Sequence, residues 1–303
     1  MLGRVIEIAE DGRHLAVFRG FLKVTAEKQE IARIPLDEIA VIMAHAHQLS
    51  YSNNLLVECC NRGIAFMFTG SNHTPAGFLW PTEQHHAQAG IMQAQLTATQ
   101  PLCKQLWKQL ISAKIYFQGE QLHVQHGEDA GLYAMSKMVK SGDIGNLEAQ
   151  AARRYWQRMM GKDFTRNQDD TDIRNKLLNY GYAILRSTTA RAIMAAGLHP
   201  TLGIFHRSRI NTMCLVDDVM EPFRPLVDAH VLTLIKQGVG EVDKVAKTAL
   251  ASIHLNDVCL DGQAAPLGMA VLRVATSLAE SYQSGKARLL LPESLMLPKN
   301  YRL

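Results

Sequence analysis

Over the first eighty residues, apolar positions come in short alternating runs. RVIEIA (4–9), HLAVFRGFLKVTA (14–26), EIARIPL (30–36) and IAVIMA (39–44) are separated by the turn-prone EDGR and EKQ. This period-two pattern predicts strands. NNLLVECCNRG (53–63) predicts a short helix, with Ser or Asn at its start and Gly63 at its end. IAFMFTG and AGFLWP predict two further strands, and the set suggests a small sandwich.

After Pro81 the period lengthens. QLTATQPLCKQLWKQLISAKIYFQGEQL has helical spacing, interrupted at Pro101, and helical periodicity recurs at 146–160, 173–196, 226–237, 240–255 and 266–283. The expectation is an α+β protein: a β-sandwich over 1–82, an all-α domain over 83–288 and a tail over 289–303. LLLPESLMLPKNYRL has two prolines and no clear period, so it reads as a loosely held or partner-docking tail.

Composition narrows this picture. Hydrophobic residues make up 47% of the 303 and charged residues 20%, which suits a globular chain with a sizeable core. Arg4 and Glu7 interrupt the N-terminus and no apolar run is long enough to span a bilayer, so a soluble, cytoplasmic protein is expected, without membrane. The five cysteines include no Cys-x-x-Cys pair, which argues against a zinc ribbon or disulfide framework.

Charge is unevenly placed. Between Arg153 and Arg209 stand eleven basic and four acidic residues, a net of +7, leaving −3 for the rest of a chain whose total is +4. A basic middle points to a polyanion partner; solvated helix faces would give the same count.

The chain lacks a phosphate-binding loop, a Gly-x-Ser-x-Gly elbow and a His-Glu-x-x-His, which disfavours nucleotide hydrolysis, serine-esterase and zincin chemistry. Four segments carry candidate chemistry. In LVDDVMEPFRPLVD, Asp218 and Glu221 share a helix face by their spacing of three, Asp217 points elsewhere, and Pro222 should break the helix beside Glu221. Carboxylates so placed suit a hard cation, although such a pair is commonly a solvated face. His206, in GIFHRSR, emerges from an apolar run next to Arg207 and Arg209; it is either a satisfied polar residue or a ligand or proton donor near an anion. Glu148, in GNLEAQAARRYW, precedes small residues and then Arg153 and Arg154; it either sits beside phosphate binders or complements the helix dipole. Gly181, in LLNYGYAIL, is costly within a helix unless something packs closely, and Arg186 and Arg191 follow as possible phosphate contacts. His45 with His47, and His85 with His86, offer a weaker metal-site pattern, without an acid or cysteine at ligand-like spacing nearby.

In order, LEAQAARRYW, LLNYGYAIL, GLHPTLGIFH and LVDDVMEPFRPLVD resemble the CRISPR-associated spacer-acquisition endonuclease/integrases, the Cas-one family, in their type II form. The resemblance covers nearly the whole chain, with MEPFRP here where the family has MEEFRP. It implies a metal-binding set of Glu148, His206 and Glu221, with Asp218 assisting catalysis, and Mg2+ or Mn2+ as cofactor. It implies joining of a DNA 3′-hydroxyl end to a phosphodiester of a CRISPR array, with Arg153, Arg154, Arg186, Arg207 and Arg209 on DNA phosphates. The implied partners are double-stranded DNA, a second copy through the β-rich part, the small Cas-two protein bridging two dimers, Cas-nine and an accessory adaptation protein. A metal-dependent structure-specific DNase without an integration role, or a non-catalytic DNA-binding scaffold, are the alternatives.

Overall fold

The computed structural model describes residues 4–46, 48–69, 75–79, 81, 87–169 and 171–297. The first part holds β1 (Arg4–Ile8), β2 (Arg13–Phe18), β3 (Phe21–Ala26), β4 (Gln29–Pro35), β5 (Ile39–Ala44), β6 (Leu49–Tyr51), α1 (Asn53–Arg62), β7 (Ala65–Thr69) and β8 (Pro75–Phe78). The single run expected over 14–26 is a hairpin. Arg19 and Gly20 take φ of 49° and 83°, the left-handed pair that a tight two-residue turn needs, and Phe18 faces Phe21 across it.

The strands form two four-stranded sheets, ordered β1-β5-β7-β8 and β4-β3-β2-β6. Leu15, Leu22 and Val24 of one sheet and Ile42 and Phe66 of the other share a core with Leu55 and Cys59 of α1. The arrangement is therefore a sandwich, but a mixed one: β5 runs parallel to both β1 and β7, and α1 supplies the crossover into β7. Ser52 caps α1 by accepting from the Leu55 amide at 3.3 Å, and Gly63 ends it at φ 63°.

Every residue of β5 is buried, so it shows no alternation. Its sheet is covered on both faces. Ile42 faces the sandwich core, whereas Val41 and Met43 meet Ile184 of a long helix on the other side.

The rest of the chain contains α2 (Gln88–Leu96), α3 (Gln100–His126), α4 (Leu132–Met138), α5 (Leu147–Met159), α6 (Ile173–Ala195), α7 (Cys214–Met220), α8 (Arg224–Lys236), α9 (Lys244–Ala251), β9 (Asp257–Leu260), β10 (Gln263–Pro266) and α10 (Leu267–Ser284). Pro101 does not interrupt a helix; it lies in the first turn of α3, where its missing N–H costs nothing. The expected all-α composition is also incomplete. Asp261 and Gly262, with φ of 52° and 72°, turn β9 back on β10 as an antiparallel hairpin.

Gly181 of α6 lets α8 approach: a Cβ there would fall 2.5 Å from Val227 Cγ1. Among the described residues no helix is long and apolar enough to cross a membrane.

The segment after α10 is held, against the expectation of a loose tail. Gln109 of α3 donates to Ala287 O at 2.8 Å and accepts from Leu289 N at 2.9 Å. Leu290 N donates to Ser277 Oγ at 3.0 Å, Leu295 N to Glu120 Oε2 at 3.0 Å, and Cys259 bridges Ser294 beside the β9–β10 hairpin. Leu295 and Leu297 are buried in the helical core. The lack of period reflects an extended strap whose backbone is satisfied by side chains of α3 and α10. The expected domain boundary near 82 and the last residues, 298–303, lie outside the described residues.

Candidate active site

The site assembles on α3, where Leu106, Trp107, Leu110, Ile111, Lys114 and Ile115 are all buried. Lys114 thus occupies a position that the apolar stripe would give to a leucine. Its Nζ lies 2.6 Å from Glu148 Oε1 and 2.6 Å from Glu221 Oε2. Two acids separated by more than seventy residues therefore share one cation.

Glu148 is free to do this because another acid caps its helix. Asp143 accepts from the Leu147 amide at 2.9 Å and the Glu148 amide at 3.0 Å. The dipole-complementing role considered for Glu148 thus belongs to Asp143.

Glu221 stands where α7 gives way to a 3₁₀ turn, Glu221–Phe223, before α8 resumes at Arg224. This is the break expected at Pro222. Arg224 Nε lies 2.9 Å from Glu221 Oε1, and no hydrogen bond reaches the buried Glu221 Oε2, whose contact with Lys114 lacks hydrogen-bond alignment. Burial works against the Glu221 charge, but Arg224 and Lys114 outweigh it and hold the carboxyl below its ordinary range. Burial likewise opposes the Lys114 ammonium, yet the Glu221 and Glu148 charges hold it above its ordinary range. Behind them the Arg224 guanidinium lies 4.7 Å from the Tyr182 ring centroid, and Tyr182 and Tyr155 donate to the buried Asp228 at 2.5 Å and 2.9 Å. Burial pushes Asp228 up to about 6.

His206 and Asp218 form a second pair. Asp218 is fully buried and accepts from the Ile204 amide at 2.6 Å, the Phe205 amide at 2.9 Å and His206 Nδ1. Its role is to position the His206 loop, and with Nδ1 engaged, Nε2 is the ring nitrogen left for a ligand. Gly203 makes the turn possible: a Cβ there would fall 2.9 Å from Cys214 Cβ and 3.0 Å from Asp218 Oδ2. Trp107 walls the loop, stacked on Phe205 with centroids 4.5 Å apart and edge-on to His206 at 5.4 Å. The hydrogen bond to Asp218 raises the imidazole above its ordinary value despite burial, helped by the charges of Asp218, Glu221 and Glu148.

The structure thus brings Glu148 and Glu221 onto one cation and places His206 within reach of both their charges. The three do not close on a common point: among the described residues no three His, Cys, Asp or Glu gather at metal-holding distance.

The expected DNA contacts divide. Arg153, Arg154, Arg207 and Arg209 are exposed. Arg186 is not available as expected: it is tied to Asp217 at 2.7 Å and 2.9 Å and to Asn211 at 3.1 Å, a pairing that also fixes the start of α7. Arg191 is engaged by Gly63 O at 3.0 Å. His45 is buried 3.9 Å from Glu7, and His47, His85 and His86 lie outside the described residues.

Sequence reasoning passed over Lys114, Asp143, Trp107, Gly203 and Arg224. Lys114 had a legible signal, a charge four residues beyond Leu110 on an apolar stripe. Asp143 had none, since it precedes its helix by a separate turn.

Residues 6–260 match the family model described as CRISPR associated protein Cas1. A CRISPR-associated endonuclease Cas1 of Neisseria meningitidis serogroup C is 37% identical over 234 residues, covering 76% of each chain. Among solved structures, a casposase bound to integration product superposes with a TM-score of 0.78 at 19% identity, covering 98% of this chain and 94% of that one. A Cas6-RT-Cas1–Cas2 complex superposes at 0.75 and 16% identity, covering 99% of this chain and 36% of that one. With its fold shared by these structures and its sequence matched along most of its length, the chain belongs to the CRISPR-associated Cas1 family.

Proposed function

We propose that this protein is a divalent-metal-dependent DNA endonuclease and integrase of CRISPR adaptation, which joins a DNA 3′-hydroxyl end to a phosphodiester of the array. One observation carries the reading: Glu148 and Glu221, from separate elements, converge on one cation beside a histidine whose tautomer is fixed. The related Neisseria protein is named an endonuclease, and the casposase structure holds an integration product.

The donor set suits Mg2+ or Mn2+. Two carboxylates able to share a cation, one with a buried oxygen lacking a hydrogen bond, are hard oxygen ligands, and His206 offers Nε2. Glu148, Glu221 and His206 would hold the ion. When bound, it would neutralise charge on the phosphate and stabilise the leaving oxygen.

The chain's own residues prepare this. Arg224 keeps Glu221 ionised and oriented, Asp218 holds the proton on Nδ1, and Trp107 with Phe205 covers one flank of the imidazole. Arg153, Arg154, Arg207 and Arg209 would meet DNA phosphates, giving salt-dependent binding with little sequence preference. In the joining step the 3′-oxygen bonds to phosphorus as the target strand's P–O3′ bond breaks. The proton lost by the attacking hydroxyl balances the one gained by the leaving oxygen. One phosphodiester replaces another, so no nucleotide hydrolysis is needed.

The Cas2-containing neighbour supports a Cas2 partner. We carry forward as part of the same reading a homodimer formed through the sandwich, a type II setting with Cas-nine and an accessory protein, and a cytoplasmic location.

The test is a strand-transfer assay with a 3′-hydroxyl donor and an array target, run with Mg2+ or Mn2+ and with chelator. Joined product with metal and none with chelator is expected; joining that persists in chelator overturns the mechanism.

A further inference from the structure

The cation already at the centre of this site is a side chain. Lys114 Nζ touches Glu148 Oε1 and Glu221 Oε2 at 2.6 Å each. The other Glu221 oxygen, Oε1, is engaged by Arg224 at 2.9 Å. Any ion that uses Glu221 has therefore two ways in: displace Arg224, or take Oε2 from Lys114. Arg224 is the harder to move, because its guanidinium is stacked over the Tyr182 ring in front of the Asp228 pair. Lys114 instead ends in a flexible stem, and its contact with Oε2, like that of Arg224 Nε with Oε1, is a charge contact without hydrogen-bond alignment.

We infer that Lys114 is a resident counter-cation: it holds Glu148 and Glu221 together when no divalent ion is bound, and it competes with that ion for the same carboxylate oxygens. The inference rests on the metal-site reading above. Two neighbouring carboxylates on a buried frame repel each other, and an internal ammonium removes that repulsion at the cost of weaker metal affinity. The site would then stay ordered before metal arrives and would load only as Lys114 withdraws.

Mn2+ binding to the purified full chain tests this, by calorimetry and by electron paramagnetic resonance of the free ion, without any activity readout. Lys114→Met removes the charge and keeps the length; Lys114→Gln removes the charge and keeps a donor, and serves if the Met variant does not fold. Either is expected to bind Mn2+ at least about tenfold more tightly than the native chain. It should also melt at a lower temperature without metal and gain more from metal. Lys114→Arg should bind like the native chain or more weakly. Unchanged or weaker Mn2+ binding in both neutral variants, while Glu148→Gln abolishes binding, overturns the role of Lys114 and leaves the metal site standing. Native-like binding in Glu148→Gln removes the metal site itself, and this inference with it.

Discussion

Two partly buried acid clusters in this protein have opposite charge balances. At the seam between sandwich and helices, Glu7 is surrounded by donors: Tyr180 donates to it at 2.7 Å, Lys247 lies at 3.1 Å and His45 at 3.9 Å. At the candidate site, Glu148, Asp218 and Glu221 face the fixed charges of Lys114 and Arg224. One cluster has donors to spare; the other is short of positive charge by one unit while its imidazole is neutral. A carboxylate surrounded by donors is a structural joint. An excess of carboxylate with a buried oxygen lacking a hydrogen bond is a place for a cation.

The contrast breaks most sharply by amide substitution. Glu148→Gln should reduce strand joining by more than about 100-fold with the fold intact, since even groups behind a metal ligand are worth 10- to 100-fold. Glu7→Gln should leave joining in place and lower stability by about 1–3 kcal/mol, the cost of weakening a partly buried charged hydrogen bond. Parallel joining assays and urea titrations check both. Equal loss of activity in the two would erase the distinction.

A second pair of changes separates the regions by shape. Gly203→Ala pushes a methyl group towards Cys214 and Asp218 and should displace the His206 loop, reducing joining by roughly 10- to 100-fold. Gly181→Ala pushes one against Val227 and should cost about 1–3 kcal/mol of stability by overpacking, with joining by the folded fraction unchanged. Joining rates per folded molecule, with folding followed by circular dichroism, tell them apart.

Asp218→Asn should act more mildly than Glu148→Gln, by about 10- to 100-fold, because Asp218 works through His206. Its signature is a shift in the pH profile of joining, which a merely structural residue would not move. The last effect is on stability alone and comes from a group outside both clusters. Burial pushes His230 down to about 4, with Asn256 2.9 Å from its Nε2. The unfolded chain, with an ordinary value of 6.5, takes up the proton first. Stability from this group is therefore complete above 6.5 and is lost as pH falls towards 4, at a slope of at most about 1.4 kcal/mol per pH unit. Urea midpoints of His230→Gln should fall less between pH 7 and 5 than those of the native chain.

Much of the frame was legible from local pattern. Helix α5, the cap and stop of α1 and the break before Pro222 follow from short-range rules about period, caps and proline geometry. So does the close approach at Gly181, since a glycine within a helix needs a reason. Some misses were local too: the Arg19–Gly20 turn is a hairpin signal inside the run 14–26, and Asp261–Gly262 is one between the helical runs 240–255 and 266–283. Others could not have been read locally. The strap after α10 looks featureless because its partners, Gln109 and Glu120, lie about 180 residues away. Arg186 counts as positive charge in a basic stretch, yet Asp217 cancels it across 31 residues. Which side chains meet, and hence which charges are spent internally, depends on tertiary placement.

The Trp107–Phe205 stack gives the protein a built-in optical gauge. The chain has three tryptophans, and among the described residues Trp107 is the one that rests against the loop carrying His206. Its emission should respond when a ligand draws that loop away or presses it closer. Replacing Trp156, which packs on Tyr155, by Phe would lower the background without touching the loop. Loading of the site could then be timed in a stopped-flow instrument with no dye attached.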